Sequence, residues 1–113
     1  MLTGTDPANV KFCLDSHWIF RGCGDSQVAL FDTVAHYHSR IVELHLRQST
    51  NGIWSEAFAM DGDIDYARLF RLQAEKKHLP YLVLEQAVEA KSPNTLLVVE
   101  AHRRGRENLV IAE

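Results

Sequence analysis

Several features that would assign a class at once are scarce in this sequence. It holds only two cysteines, Cys13 and Cys23. Two are too few for a disulfide framework, and a gap of ten without a CxxC fits no usual zinc spacing. No apolar run has the length needed to span a bilayer, so no membrane role is expected. The first residues, MLTGTDPANVK, lack the charged and apolar regions of a secretory signal. Basic charge is not in excess either. The net charge is -3, which excludes a basic electrostatic footprint for nucleic acid. The local cluster Arg103, Arg104 and Arg106 reads as solvated cations at a helix C-terminus. A reduced, cytoplasmic setting is the expectation, with Cys13 a small buried hydrophobe in an apolar strand.

What is present is the composition of a globular domain, 46% hydrophobic and 24% charged. Residues 1–113 have the size of one domain and show no interdomain linker. Three runs are of strand length and rich in β-branched or large apolar residues: VKFCLD (10–15), IVELHL (41–46) and YLVLEQ (81–86). A helical pattern follows each. The first has Asp25 or Ser26 as its N-cap, then an apolar stripe of Val28, Phe31 and Ala35 flanked by Leu30 and Val34. After the second strand comes the polar excursion QSTNGIWSEAFAMDGD. The helix beyond it is expected to be capped by Asp63, to bury Ile64, Leu69 and Leu72, and to end at Lys76 and Lys77. Ser92-Pro93 reads as the start of the third helix, with Leu96, Leu97 and Val99 on its buried face and Gly105 near its end. Strands alternating with helices predict an α/β fold with a parallel sheet. Three βα units are too few to close a barrel, which needs eight, and leave two open sheet edges.

Parallel α/β folds put their chemistry at the C-terminal ends of the strands. The first strand ends with Asp15 and His17, the second with His45 and Arg47, and the third with Glu85 and Gln86. Two carboxylates and an imidazole at equivalent positions suit one divalent cation, with oxygen ligands favouring manganese or magnesium and imidazole admitting cobalt or zinc. Each residue has a plainer reading. Asp15 can cap a loop, His45 can be a hydrogen-bonded core histidine, and Glu85 can pair with Arg47. Glu43, one pleat deeper than His45 on the same face, is expected to bond Lys11 of the first strand. His36, His38, His78 and His102 read as surface groups near helix ends. The stretch 18–24 with Trp18, and the loop holding Trp54, can form an aromatic wall over a substrate or simply pack as loops.

The stretches LDSHWIFRGCGDS, RIVELHLRQSTNGIWSEAF, DGDIDY, LVLEQAVE and SPNT resemble the xylose isomerase-like TIM-barrel superfamily. That superfamily comprises sugar phosphate isomerases and epimerases, with inosose dehydratase and ketose 3-epimerases among them. The resemblance implies that the chain is the C-terminal three βα units of a (β/α)8 barrel. It implies Asp15, His45 and Glu85 as ligands of one divalent metal, with His17 as a neighbour. A fourth ligand, a Glu on an earlier strand, has no counterpart here. The chain departs from its relatives in a DxH spacing where several read DxxH. It also reads His45-Leu-Arg-Gln48 where relatives often read HxKD.

The implied activity is isomerisation or epimerisation of a sugar or sugar phosphate by proton transfer beside a carbonyl. Glu85 is then both ligand and proton-transfer base, with His17, Arg47, Trp18 and Trp54 lining the substrate. A dehydratase is possible within the same superfamily. A phosphodiester-cleaving DNA-repair enzyme is less expected, because its trinuclear zinc site needs more histidines than these strand ends supply. The rival reading is an inactive fragment or assembly subunit that binds metal or sugar only. Either reading allows a homo-oligomer or docking onto a missing N-terminal barrel portion.

Overall fold

The structure is a computed structural model, and it describes residues 4–85 and 88–110. The chain runs β1 (Phe12–Asp15), α1 (Ser16–Gly22), α2 (Gln27–Tyr37), a single 3₁₀ turn (His38–Arg40) and β2 (Ile41–Leu46). It continues with β3 (Ser49–Thr50), β4 (Ile53–Trp54), α3 (Tyr66–Glu75), β5 (Tyr81–Leu84) and α4 (Val98–Asn108). The expected α/β class holds. β1, β2 and β5 form one parallel sheet in the order β1-β2-β5, and β3 and β4 form a separate antiparallel pair.

Register fixes which side chains share a face. Leu14 pairs with Leu44 and Leu44 with Leu82, while Asp15 pairs with His45 and His45 with Val83. Between β1 and β2 the register passes from Phe12↔Ile41 to Cys13↔Glu43 and skips Val42. This irregularity lets Ile41, Leu44 and Leu46 all enter the core although the spacing from 41 to 44 is odd. The core lies under one face of the sheet, where Leu14, Ile41, Leu44 and Leu46 meet Phe20, Leu30, Val34, Phe58, Ile64, Tyr66, Leu69 and Phe70. Burying each large apolar side chain contributes roughly 1.5–3 kcal/mol. The opposite face is open and carries Cys13, Asp15, Glu43 and His45.

Local signals explain most helix starts. Ser26 Oγ accepts from Ala29 N–H and caps α2, as expected. Asp15 Oδ1 accepts from Trp18 N–H and caps α1, a helix in place of the expected loop. The cap of α3 is Asp65, not Asp63: Asp65 Oδ1 accepts from Arg68 N–H. Asp63 is drawn away because the β3–β4 turn offers it two backbone N–H groups, Asn51 and Gly52.

Other expectations fail for identifiable reasons. The third helix does not begin at Ser92-Pro93. Ser92 Oγ instead accepts from Glu89 N–H, and α4 begins at Val98 with no side-chain cap. Its expected buried residues Leu97 and Val99 are exposed, while Ala101 and Gly105 are buried. Val28 is exposed as well. Cys13 is exposed, not buried, because it sits on the open face of the sheet. Gln86, expected to close the third strand, lies outside the described residues. No helix among the described residues is long and apolar enough to cross a membrane.

Candidate metal centre

Asp15, His45 and Glu85 follow or end adjacent parallel strands on the same rim of the sheet. One ligand atom from each lies within 4.8 Å of the other two. Glu85 extends the ladder beyond β5 through its N–H, which donates to Leu46 O at 3.0 Å. Its carboxylate then turns to β2. His45 Nδ1 is 2.8 Å from Glu85 Oε1, and Arg47 Nη2 is 3.2 Å from Glu85 Oε2. The plainer reading of Glu85 as a partner of Arg47 therefore holds beside the ligand geometry.

Glu43 bonds His45 rather than Lys11. Its Oε1 lies 2.6 Å from His45 Nε2, whereas Lys11 Nζ donates to Pro7 O. The expected Lys11–Glu43 pair is thus absent. The signal was the i, i+2 spacing of Glu43 and His45, which puts both side chains on one face of β2. With carboxylates on both ring nitrogens, the hydrogen bonds that the ring donates to Glu43 and then to Glu85 raise the His45 pKa above its ordinary value. Asp15 is also raised, chiefly by desolvation, with the Glu85 charge adding to it against the Trp18 N–H bond.

This donor set fits a divalent cation. A cation in contact with His45 Nδ1 takes the place of that nitrogen's proton, and Glu43 remains on Nε2–H to fix the ring's tautomer and orientation. Asp15 can serve both as cap and as ligand, since a carboxylate has two oxygens and the cap uses one.

The rim is held from below by buried hydroxyls. The hydroxyl of Tyr66, fully buried, lies 2.7 Å from Arg47 O, and Ser16 Oγ lies 2.7 Å from His45 O. The two hydroxyls lie 2.6 Å apart, so α1 and α3 clamp the end of β2 at the residues that carry the site. Burial raises the Tyr66 pKa strongly, which keeps it a neutral donor.

His17, expected at the substrate, is 1% exposed and has both ring nitrogens engaged. Trp54 Nε1–H donates to His17 Nδ1 at 3.2 Å, so the proton is on Nε2, which meets Ser49 Oγ at 2.8 Å. Ser49 Oγ donates in turn to Asp63 Oδ2 at 2.6 Å. Burial, followed by the nearby charges of Arg21 and Arg47, lowers the His17 pKa to about 4. Burial pushes the Asp63 carboxyl up, but its bonds from Ser49, Gly52 and Asn51 outweigh this and leave it lowered. The relay Trp54–His17–Ser49–Asp63 is a framework under the site.

Trp54 is buried, with Arg47 Cζ 4.0 Å and Arg21 Cζ 4.4 Å from its ring centroid. Arg21 forms a two-pronged bond with Glu89, which also accepts from Trp54 N–H. These bonds, Arg21 first, hold the Glu89 carboxyl down at about 2. Trp18 packs edge-on against Trp54 and is 55% exposed, so of the two tryptophans it alone offers an open face. Arg47 is nine-tenths buried and reaches the cluster through Glu85. Gln48 faces away from the cluster. Its amide donates to Ala59 O and Ile64 O and accepts from Ser49 N and Ile64 N, tying the long loop to the end of β2.

The β3–β4 hairpin has a local sequence signal. Asn51-Gly52, with φ of 53° and 81°, is the preferred pair for a two-residue hairpin turn.

No family model, curated protein or solved structure matches this chain.

Proposed function

We propose that the chain is the C-terminal portion of a divalent-metal-dependent isomerase or epimerase acting on a sugar or sugar phosphate. In this reading its three βα units are the last three of a (β/α)8 barrel. The observation that carries the reading is the convergence of Asp15, His45 and Glu85 within 4.8 Å at one rim of a parallel sheet. Helices on one face, polar groups on the other, and edge strands β1 and β5 that are free to pair further support the barrel placement.

Asp15, His45 and Glu85 hold the cation, with manganese, magnesium, cobalt or zinc compatible with the donors. Bound there, it supplies a Lewis acid for a substrate carbonyl. Glu43 keeps the imidazole in the tautomer that presents Nδ1. Arg47, stacked on Trp54, orients Glu85. Glu85 takes the proton from the carbon beside the carbonyl. Trp18 offers the exposed aromatic surface against which a sugar ring can rest.

A binding-only role is the second reading, and one observation favours it. Both oxygens of Glu85 are already engaged, by His45 and by Arg47. One experiment separates the two. The manganese-loaded chain is incubated with ketoses and ketose phosphates in deuterated water, and exchange beside the carbonyl is followed by proton NMR. Exchange that disappears in Glu85→Gln supports the enzyme. Sugar-induced shifts without exchange support binding alone, and neither effect overturns both.

A further inference from the structure

The open face of the sheet carries a second set of ligand atoms, one pleat below the first. Cys13 of β1 is the register partner of Glu43 on β2, and His45 follows Glu43 on the same face. Cys13 Sγ lies 3.7 Å from Glu43 Oε1, which lies 2.6 Å from His45 Nε2. One ligand atom from each of the three residues falls within 4.8 Å of the others. The thiol is exposed, so a cation in solution can reach it.

We propose that Cys13, Glu43 and His45 form a zinc site, and that it and the Asp15–His45–Glu85 site exclude each other through the shared imidazole. The donor chemistry sorts the two. Thiolate and imidazole favour zinc, whereas two carboxylates with one imidazole accept the harder manganese or magnesium. On binding, zinc takes the place of the Cys13 thiol proton, which leaves to solvent, and water completes the coordination.

Exclusion follows from the ring itself. A neutral imidazole has one lone pair and one N–H. With the lone pair on Nε2, zinc is held beside Cys13 and Glu43, and Nδ1–H donates to Glu85. With the lone pair on Nδ1, the upper site is competent, and Nε2–H donates to Glu43. Each state uses the other site's carboxylate as the outer partner of the ligating histidine. Zinc capture stands on these three residues alone, and only the exclusion rests on the proposed upper site.

Cobalt(II) is the probe for the thiol, because a thiolate ligand gives it a charge-transfer absorption that oxygen and nitrogen ligands do not. Wild type and Cys23→Ser are expected to show the band and to lose it on adding zinc, whereas Cys13→Ser shows none. Zinc affinity in Cys13→Ser should drop at least about tenfold, since losing a ligand costs no less than losing an outer partner. Manganese affinity, read by electron paramagnetic resonance, should stay within about twofold, because Cys13 is no ligand of the upper site. Zinc added to the manganese-loaded protein should release manganese in equal amount. A wild type without the band, or a Cys13→Ser that binds zinc as tightly as wild type, overturns the zinc site. Zinc bound through Cys13 with manganese retained overturns the exclusion. Failure to bind manganese at all overturns both the exclusion and the proposed upper site, and the cobalt band then decides the zinc site by itself.

Discussion

His45 and Glu85 stand at the ends of neighbouring parallel strands with Nδ1 2.8 Å from Oε1. A second carboxylate, Glu43, lies 2.6 Å from the opposite nitrogen of the same ring. At the proposed metal centre a proton and a divalent cation would compete for one position, and both carboxylates favour the proton by raising the His45 pKa.

Manganese binding should weaken on acidification, and the weakening should begin above the ordinary histidine pKa of about 6.5. Calorimetry across pH on wild type and Glu85→Gln checks this. Glu85→Gln should lower the affinity at neutral pH, because it replaces a charged ligand by a neutral amide. Equal affinity in the two proteins would remove Glu85 from the ligand set. Glu43→Gln should reduce affinity by about ten- to a hundredfold while leaving all three ligands in place.

Without metal, the same ring gives folding a pH dependence of definite sign. The folded state holds the His45 proton more tightly than the unfolded chain does. The stabilisation is therefore complete below about pH 6.5 and is lost as pH rises through the raised folded value. Chemical denaturation of wild type and His45→Gln should show a stability gap that narrows as pH rises above about 6.5. A gap that widens instead would mean that the ring is neutral between its two carboxylates.

His17 acts in the opposite direction. Its folded pKa is lowered to about 4, so the unfolded chain takes up the proton first as pH falls. Stability from this group is present above about pH 6.5 and should be lost progressively down to about pH 4, by up to roughly 3 kcal/mol. His17→Gln should be less stable at neutral pH by about 1–3 kcal/mol, because Ser49 and Trp54 lose a buried partner. Its acid-side slope should nevertheless be shallower than that of wild type.

Gly62 should tolerate no side chain. Its φ is 152°, and a Cβ there would lie 2.6 Å from both Gln48 Cδ and Ser49 O. Both atoms belong to the network that fixes the long loop under the rim. Gly62→Ala should cost about 1–3 kcal/mol by overpacking, with strain at the positive φ added. Thermal unfolding measures this, and an unchanged midpoint would show that the loop yields.

How much of this was legible can be judged from individual residues. Asp15, His45 and Glu85 could be read as a group because strand alternation and parallel order are short-range properties: they place every second side chain on one face and all strand ends at one rim. The Ser26 cap, the burial of Ile64 just before α3 and of Leu69 within it, and the Asn51-Gly52 turn depend on chemistry only a few residues long. The partners of Glu43, Asp63, His17 and Trp54 had no such local rule. Asp63 has the sequence position of a cap, yet it binds a hairpin turn eleven and twelve residues away. Lys11 stands two residues before Cys13, the register partner of Glu43, and folds back onto Pro7. Leu97 and Val99 have the pattern of a buried helix face, but no described element covers them. The sequence by itself therefore determined which residues share a face, since backbone geometry repeats over two or four residues. Only the tertiary structure decided which distant donors and acceptors meet, because a polar group takes whichever partner folding brings within about 3 Å.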